Sequence, residues 1–284
     1  MHIHDFPFRL PLVQAVALAG LITVAGVLPA SAVELPPGIC SANGVSHAER
    51  VKGCTEVIES GEVKGEALLI AYCNRGFAFT EIGEYDRVIA DSNAALQVDV
   101  DLACAYSNRG RAWFYKNDID RAIADFTRTV EIDPEFHEAF ASRGAAYHER
   151  QEFSRAIPDY DAAIRIEPTI PMYFKDRANT LYYMGEYARA AEDLARAIAL
   201  APDDPELYFR LGRNHMEQRD FDSAITDYTK AIALDPDQTK FWEARASAHA
   251  AKNDTRAALA DKEQVRKHMR TSFESLIEGK PRSP

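Results

Sequence analysis

Cysteine, tryptophan and positive charge are scarce in this chain of 284 residues. It has four cysteines, two tryptophans, and 33 Lys plus Arg against 44 Asp plus Glu. The formal charge of -11 opposes binding to phosphate backbones and anionic lipid surfaces, so nucleic acid is not expected as a partner. Glycine and proline, 14 of each, are too few for a collagenous chain, and 46% hydrophobic residues are too many for a disordered one. The composition is that of a folded soluble protein.

Sequence motifs of catalysis are also missing. The chain has no Gly-x-Ser-x-Gly elbow, no phosphate-cradling loop and no dinucleotide fingerprint. His148-Glu149 lacks the second histidine of a zincin pattern. We therefore expect no catalytic residue, no metal and no cofactor. The enzymatic alternative is a site assembled from residues that lie far apart in the sequence.

One long apolar run stands at the N-terminus. Arg9 precedes an uncharged run over residues 10–28, and small residues at Ala30 and Ala32 fit a signal peptidase site. This pattern predicts a signal peptide over residues 1–32 and a periplasmic or secreted protein that has no membrane segment after cleavage. The alternative is a retained membrane anchor, since nineteen residues are enough to cross a bilayer.

A period of 34 residues organises most of the chain. Asn74-Arg75-Gly76 returns as Asn108-Arg109-Gly110 and as Ser142-Arg143-Gly144. An aromatic column, four residues before the small residue, reads Tyr72, Tyr106, Phe140, Phe174, Tyr208 and Trp242. A later column of mostly alanine reads Val88, Ala122, Ala156, Ala190, Ala224 and Ala258, and proline closes four units at Pro134, Pro168, Pro202 and Pro236. Such a period is typical of stacked supersecondary units.

These columns resemble the tetratricopeptide repeat (TPR) family, whose unit is a helix-turn-helix of 34 residues. The resemblance implies an all-α, right-handed superhelical solenoid with a capping segment over residues 33–68 and a C-terminal end over residues 271–284. It implies six units, at residues 69–102, 103–136, 137–170, 171–204, 205–238 and 239–270. The match departs from the family at both ends, because Val100 and Arg270 stand where proline is usual.

Each unit is predicted to be two helices joined by a tight turn. In the second unit, residues 103–116 and 121–132 carry the helical pattern, Asn117 tolerates the left-handed turn conformation, and Asp120 is expected to cap the second helix. Before the repeats, Ser46-His47-Ala48-Glu49 reads as a capping box that opens another helix.

Charged residues follow the same period. One column reads Arg75, Arg109, Arg143, Arg177 and Arg245, and a second, sixteen residues later, reads Asp91, Asp125, Asp159, Asp193, Asp227 and Asp261. We interpret them as structural ion pairs between helices, with a ligand-binding ladder as the alternative. Leu211 alone breaks the arginine series. His215 and His249 share a column with Trp113 and Tyr147, so we interpret both histidines as packing residues.

The TPR resemblance also implies a concave groove lined by the first helix of each unit. Residues placed there and expected to bind a partner are Phe77, Arg111, Phe114, Tyr115, Lys175, Asn179, Tyr182, Tyr183, Phe209 and Arg213. Aromatic side chains at exposed helical positions are common anchors of protein interfaces. Arg111, Lys175 and Arg213 would meet carboxylates of the partner. The alternative is that some of these aromatics fill seams between units.

The four cysteines divide into two cases. Cys40 and Cys54 lie together in the capping segment, where a disulfide would stabilise the fold by about 3 kcal/mol. Cys73 and Cys104 fall on the groove in adjacent units. A disulfide needs α-carbons within roughly 7 Å, whereas packed helices lie roughly 8–10 Å apart, so we expect free or strained thiols there.

Two functions are consistent with this pattern. The first is a non-enzymatic scaffold of the cell envelope that binds a partner protein or peptide in the groove. The second is an enzyme or a binding protein that uses the groove for a small molecule, such as a cell-wall fragment. No residue pattern favours self-association.

Overall fold

The computed structural model describes residues 38–42 and 44–277, apart from the side chains of residues 39 and 271–277. The predicted signal segment and its cleavage site lie outside these described residues. Within them the chain forms thirteen α-helices and a short 3-10 turn at Gly38–Cys40, and no strand. The helices are α1 His47–Ser60, α2 Gly65–Glu81, α3 Tyr85–Val98, α4 Ala103–Tyr115, α5 Ile119–Ile132, α6 His137–Glu149, α7 Phe153–Ile166, α8 Pro171–Tyr183, α9 Tyr187–Leu200, α10 Pro205–Glu217, α11 Phe221–Leu234, α12 Thr239–Ala251 and α13 Thr255–Ile277.

Helix α1 covers the N-terminal end of the array. The predicted capping box is confirmed, because the Glu49 amide donates to Ser46 Oγ and the Ser46 amide donates to Glu49 Oε2. A disulfide joins Cys54 of α1 to Cys40, and Arg50 donates to the Cys40 carbonyl oxygen at 2.9 Å. These contacts hold the 3-10 turn against α1.

The next twelve helices form six antiparallel hairpins, from hairpin one (α2 and α3) to hairpin six (α12 and α13). Asn117 has a φ of 63°, so the predicted left-handed turn residue is confirmed. The cap prediction is wrong by half a turn. Helix α5 begins at Ile119, and its cap is Asp118, whose carboxylate accepts from the Arg121 amide, rather than Asp120.

Small residues allow the two helices of a hairpin to approach closely. A Cβ at Gly110 would lie 2.8 Å from Phe126 Cε1, and one at Gly212 would lie 2.6 Å from Tyr228 Cε1. Both distances are shorter than a side chain tolerates. At Gly110 and Gly212 the small residue therefore serves packing, because an aromatic ring of the second helix lies directly over it.

The periodic arginines and aspartates form the predicted structural ion pairs. In each of five hairpins the arginine Nε and Nη2 donate to both oxygens of the aspartate sixteen residues later. The remaining Nη1 reaches the preceding hairpin or α1, at Thr55, Asn93, Thr127, Asp161 and Thr229. One guanidinium thus ties three helices together and fixes the register of neighbouring hairpins.

In hairpin five the buried aspartate is paired with a histidine instead of an arginine. Leu211 has no donor for Asp227, and His215 Nδ1 lies 2.7 Å from Asp227 Oδ2 in its place. The interpretation of His215 as a packing residue is therefore wrong. Burial raises the pKa of Asp227, because the charged carboxylate has lost its contact with water. The hydrogen bond to His215 opposes that rise by giving the carboxylate a polar partner.

Cys73 and Cys104 form a disulfide between α2 and α4, with α-carbons 6.0 Å apart. The expectation of free thiols is wrong because roughly 8–10 Å is the distance between helix axes, not between α-carbons. Each α-carbon on the facing side lies about 2.3 Å from its own axis towards the other helix, so facing α-carbons are closer than the axes. Gly76 assists this approach: the Asn108 side chain lies against it and donates to the Cys73 carbonyl oxygen at 2.9 Å.

Candidate functional site

The first helices of the hairpins lie along one face of the array. Helices α2, α4, α6 and α8 contact one another in succession, and α10 contacts α12. The second helices pack chiefly on the first helix of their own hairpin and on that of the next. We call the face made by α2, α4, α6, α8, α10 and α12 the groove.

Arg111 and Phe114, both predicted to bind a partner, are buried in the groove wall. Arg111 Nη2 donates to Glu81 Oε1 at 2.7 Å, and its guanidinium carbon lies 5.5 Å from the Phe77 ring centroid. The charge of Arg111 is therefore already paired inside the protein.

Other predicted aromatics also contact neighbouring hairpins. Tyr115 stacks on Tyr85 with ring centroids 5.1 Å apart, and burial raises the pKa of Tyr115. Phe209 lies between Tyr228 and Phe241, at 5.8 and 5.3 Å. These rings lie in the seams between helices, as the alternative interpretation allowed.

Tyr182 and Tyr183 are different, because they lie at the open side of α8. Tyr183 is 43% exposed, and its ring stacks on Phe153 with centroids 5.9 Å apart. Tyr182 donates to Glu217 Oε1 at 2.9 Å, and the Arg213 guanidinium lies 4.9 Å from its ring centroid. Of the aromatic residues predicted to bind a partner, Tyr183 is the one that is exposed.

A ladder of ion pairs along the turn edge is interrupted beside these tyrosines. Elsewhere a base at the end of a first helix meets an aspartate of the preceding hairpin, as in Lys116 with Asp86, Arg150 with Asp120 and Lys252 with Asp222. The equivalent positions read Ser154 with Met184 and Ala188 with Gln218. Met184 is 38% exposed. The ladder therefore has no charged pair at these positions of hairpins three to five, a signal that the 34-residue period contains but that was not recognised from the sequence.

Beneath Tyr183 lies a buried polar group. His148 Nδ1 is 2.9 Å from Thr180 Oγ1, and His148 Nε2 is 3.3 Å from the side-chain nitrogen Nδ2 of Asn179. Burial lowers the pKa of His148 to about 4, so the imidazole is neutral at pH 7. Burial raises the pKa of Asp176 to about 6, against the attraction of Lys175 and Arg210.

Tyr182 also borders a small cavity between α8, α9 and α10. Its volume is about 10 Å³, room for about one water molecule. The lining residues are Ala178, Asn179, Tyr182, Leu194, Arg210, Arg213 and Asn214. Three of the ten predicted residues, Asn179, Tyr182 and Arg213, are thus brought together here, and Lys175 lies on the same helix one turn before Asn179.

Among the described residues, no three His, Cys, Asp or Glu side chains converge as a metal site would require. Over the same residues, every helix is too short or too polar to serve as a membrane span.

Comparison with known proteins agrees with the repeat pattern. The chain matches the tetratricopeptide repeat family over residues 107–169 and 205–238, and a TPR repeat over residues 178–218. No functionally curated protein matches it significantly.

Several solved structures are similar in fold. MamA (residues 41 to the end) from Desulfovibrio magneticus RS-1 has a TM-score of 0.57 and 21% identity, over 60% of this chain and 96% of that chain. YrrB, a TPR protein with an unusual peptide-binding site, has a TM-score of 0.55 and 19% identity, over 66% of this chain and 97% of that one. The APC/C hetero-tetramer Cut9-Hcn1 has a TM-score of 0.56 and 20% identity, over 78% of this chain and 43% of that chain.

At these sequence identities, the solved structures are evidence for the fold alone. Together with the 34-residue period, the six hairpins and the matched segments, they establish that this chain is an all-α tetratricopeptide repeat protein.

Proposed function

We propose that the protein is a scaffold that binds a peptide segment of a partner protein in the groove, at hairpins four and five. The observation that carries this proposal is the exposed aromatic and uncharged surface of Tyr183 and Met184, where the edge ladder of ion pairs is interrupted. Burying such rings on binding is favourable, and aromatic side chains are frequent interface anchors. YrrB, similar in fold, is itself described as having a peptide-binding site.

Charge gives the bound segment a preference. Lys175 and Arg213 make no ion pair within the described part of the chain, whereas Arg111 is paired with Glu81. Acidic residues of a bound segment would therefore contact Lys175 and Arg213, and we no longer assign that role to Arg111. Interaction with a carboxylate at such solvent-accessible sites guides register and association rate more than it adds affinity.

The location of this scaffold is part of the proposal. Two disulfides, Cys40–Cys54 and Cys73–Cys104, are compatible with an oxidising compartment such as the bacterial periplasm or the extracellular space. The cavity beneath Tyr182 is about 10 Å³, far below the roughly 300–1,000 Å³ of typical small-molecule sites, so it does not favour the small-molecule alternative.

Selection from a phage-displayed library of random nine-residue peptides tests the proposal. The purified chain is expected to enrich peptides, and Tyr183→Ala is expected to abolish their binding. Leu259→Ala, which truncates an exposed side chain of α13 far from the groove, is the matched control and should bind as the parent does. Failure to enrich any peptide, or equal loss in both variants, would contradict the proposal.

A further inference from the structure

Asn214 stands in a column where the array otherwise uses small residues. The equivalent positions in the six hairpins are Ala78, Ala112, Ala146, Thr180, Asn214 and Ala248. All six are buried, and the four alanines have no exposed surface. Alanine thus fits the packing at this position of the fold, and a polar side chain there needs another explanation.

Thr180 and Asn214 differ in how their polar atoms are satisfied. The Thr180 hydroxyl donates to the Asp176 carbonyl oxygen at 3.0 Å and lies 2.9 Å from His148 Nδ1. Asn214 Oδ1 is buried without a hydrogen-bond partner. An unsatisfied buried acceptor lowers stability, since it has lost its water without replacing it.

A buried donor is also left without a hydrogen bond on the same helix, one turn earlier. Arg210 Nε has none, although it lies 3.1 Å from Glu206 Oε1 in an ion pair. Arg210 Nη1 donates to Asn179 Oδ1 at 3.3 Å, which fixes the guanidinium beside the cavity. Asn214 and Arg210 therefore line one small cavity, in which the Asn214 acceptor has no partner and the Arg210 guanidinium is held in place by Glu206 and Asn179.

We propose that Asn214 and Arg210 bind a side-chain carboxamide, of glutamine or asparagine, carried by the peptide in the groove. The inference rests on the proposed peptide-binding function and adds a residue preference to it. A carboxylate would place lone pairs against Asn214 Oδ1, and an ammonium group would meet the charges of Arg210 and Arg213. A carboxamide donates through its nitrogen to Asn214 and accepts through its oxygen from Arg210. The cavity has room for about one water molecule, so the amide nitrogen alone would enter it and the rest of the carboxamide would lie at its opening.

Thermal stability provides the first test, because a structural role and a binding role of Asn214 predict opposite changes in the Tm of Asn214→Ala. Asn214→Ala removes the unsatisfied oxygen and is expected to raise Tm by about 2–4 °C. Thr180→Ala, the matched control one hairpin earlier, removes a hydroxyl that is bonded and is expected to lower Tm by a similar amount. A lower Tm for Asn214→Ala would show that its oxygen serves the fold and would overturn the inference.

Peptide selection provides the second test. The parent chain is expected to enrich glutamine or asparagine at one library position, and Asn214→Ala is expected to lose that preference while still enriching peptides. In a double-mutant cycle, Gln→Met in a selected peptide should weaken binding to the parent about tenfold and leave binding to Asn214→Ala unchanged. Equal weakening in both proteins, or enrichment without an amide preference, would overturn this inference alone. A library that yields no peptide would count against the proposed function as well.

Discussion

Arg177 donates to both carboxylate oxygens of Asp193, from Nε to Oδ2 at 2.8 Å and from Nη2 to Oδ1 at 2.6 Å. Its third nitrogen donates to Asp161 on the preceding hairpin at 2.6 Å. Four other hairpins repeat this geometry with different residues at the third contact. The pair is thus the joint through which one hairpin is oriented on the next.

Loss of the Arg177–Asp193 pair should lower the free energy of unfolding substantially. Arg177→Ala leaves the buried Asp193 carboxylate unpaired, and we expect the free energy of unfolding to fall by about 3 kcal/mol in urea denaturation. Arg189→Ala is the control, since its pair with Glu186 is solvent-exposed; its effect should stay within about 0.5 kcal/mol. Similar effects of the two substitutions would contradict the structural role that we assign to the arginine column.

The pH dependence of stability should show two opposing contributions from the groove. His148 has a pKa lowered to about 4 by burial, so its unfolded form binds more protons between pH 4 and 6.5, and its contribution is lost as the pH falls through that window. Asp176 has a pKa raised to about 6, so its folded form binds more protons between pH 3.8 and 6, and its contribution is lost as the pH rises.

The two contributions separate in single variants. In Asp176→Asn, stability should decrease steadily from pH 6.5 to 4, because the His148 contribution is then unopposed. In His148→Phe, stability should decrease from pH 4 to 6, because the Asp176 contribution is then unopposed. Urea denaturation at each half unit of pH measures both slopes. Parallel profiles in the two variants would contradict the assignment of these groups.

The Cys73–Cys104 disulfide predicts that no free thiol is present. Titration of the unfolded, unreduced protein should find none of the four cysteines reactive. Cys73→Ser together with Cys104→Ser should lower the free energy of unfolding by about 4 kcal/mol on the loop-entropy estimate. Two reactive thiols in the parent protein would restore the original expectation from the sequence.

The sequence predicted those features that repeat. Each helix of the array is specified several times over by the aromatic, small, alanine and charged columns, so an error in one unit is corrected by the others. Most of what it missed belongs to single units: the His215–Asp227 pair, the disulfide between α2 and α4 and the unpaired Asn214 Oδ1. Each of these depends on a local distance or an atom's partner, and the period carries no information on either.

For the groove residues, too, the repeat predicted one property and missed another. Their placement on the first helices followed from the repeat, but the side-chain surroundings decided which are accessible. Arg111 is paired with Glu81, Phe209 lies among other rings, and Tyr183 is exposed. Helical position alone does not distinguish a residue that fills a seam from one that meets solvent.

Site-specific photocrosslinking tests the central claim most directly. A benzoylphenylalanine introduced in place of Tyr183, in the purified chain with a selected peptide bound, should crosslink to that peptide. The same group in place of Leu259 on α13 should not. Crosslinking from position 259 with none from position 183 would show that the peptide binds elsewhere and would contradict the account.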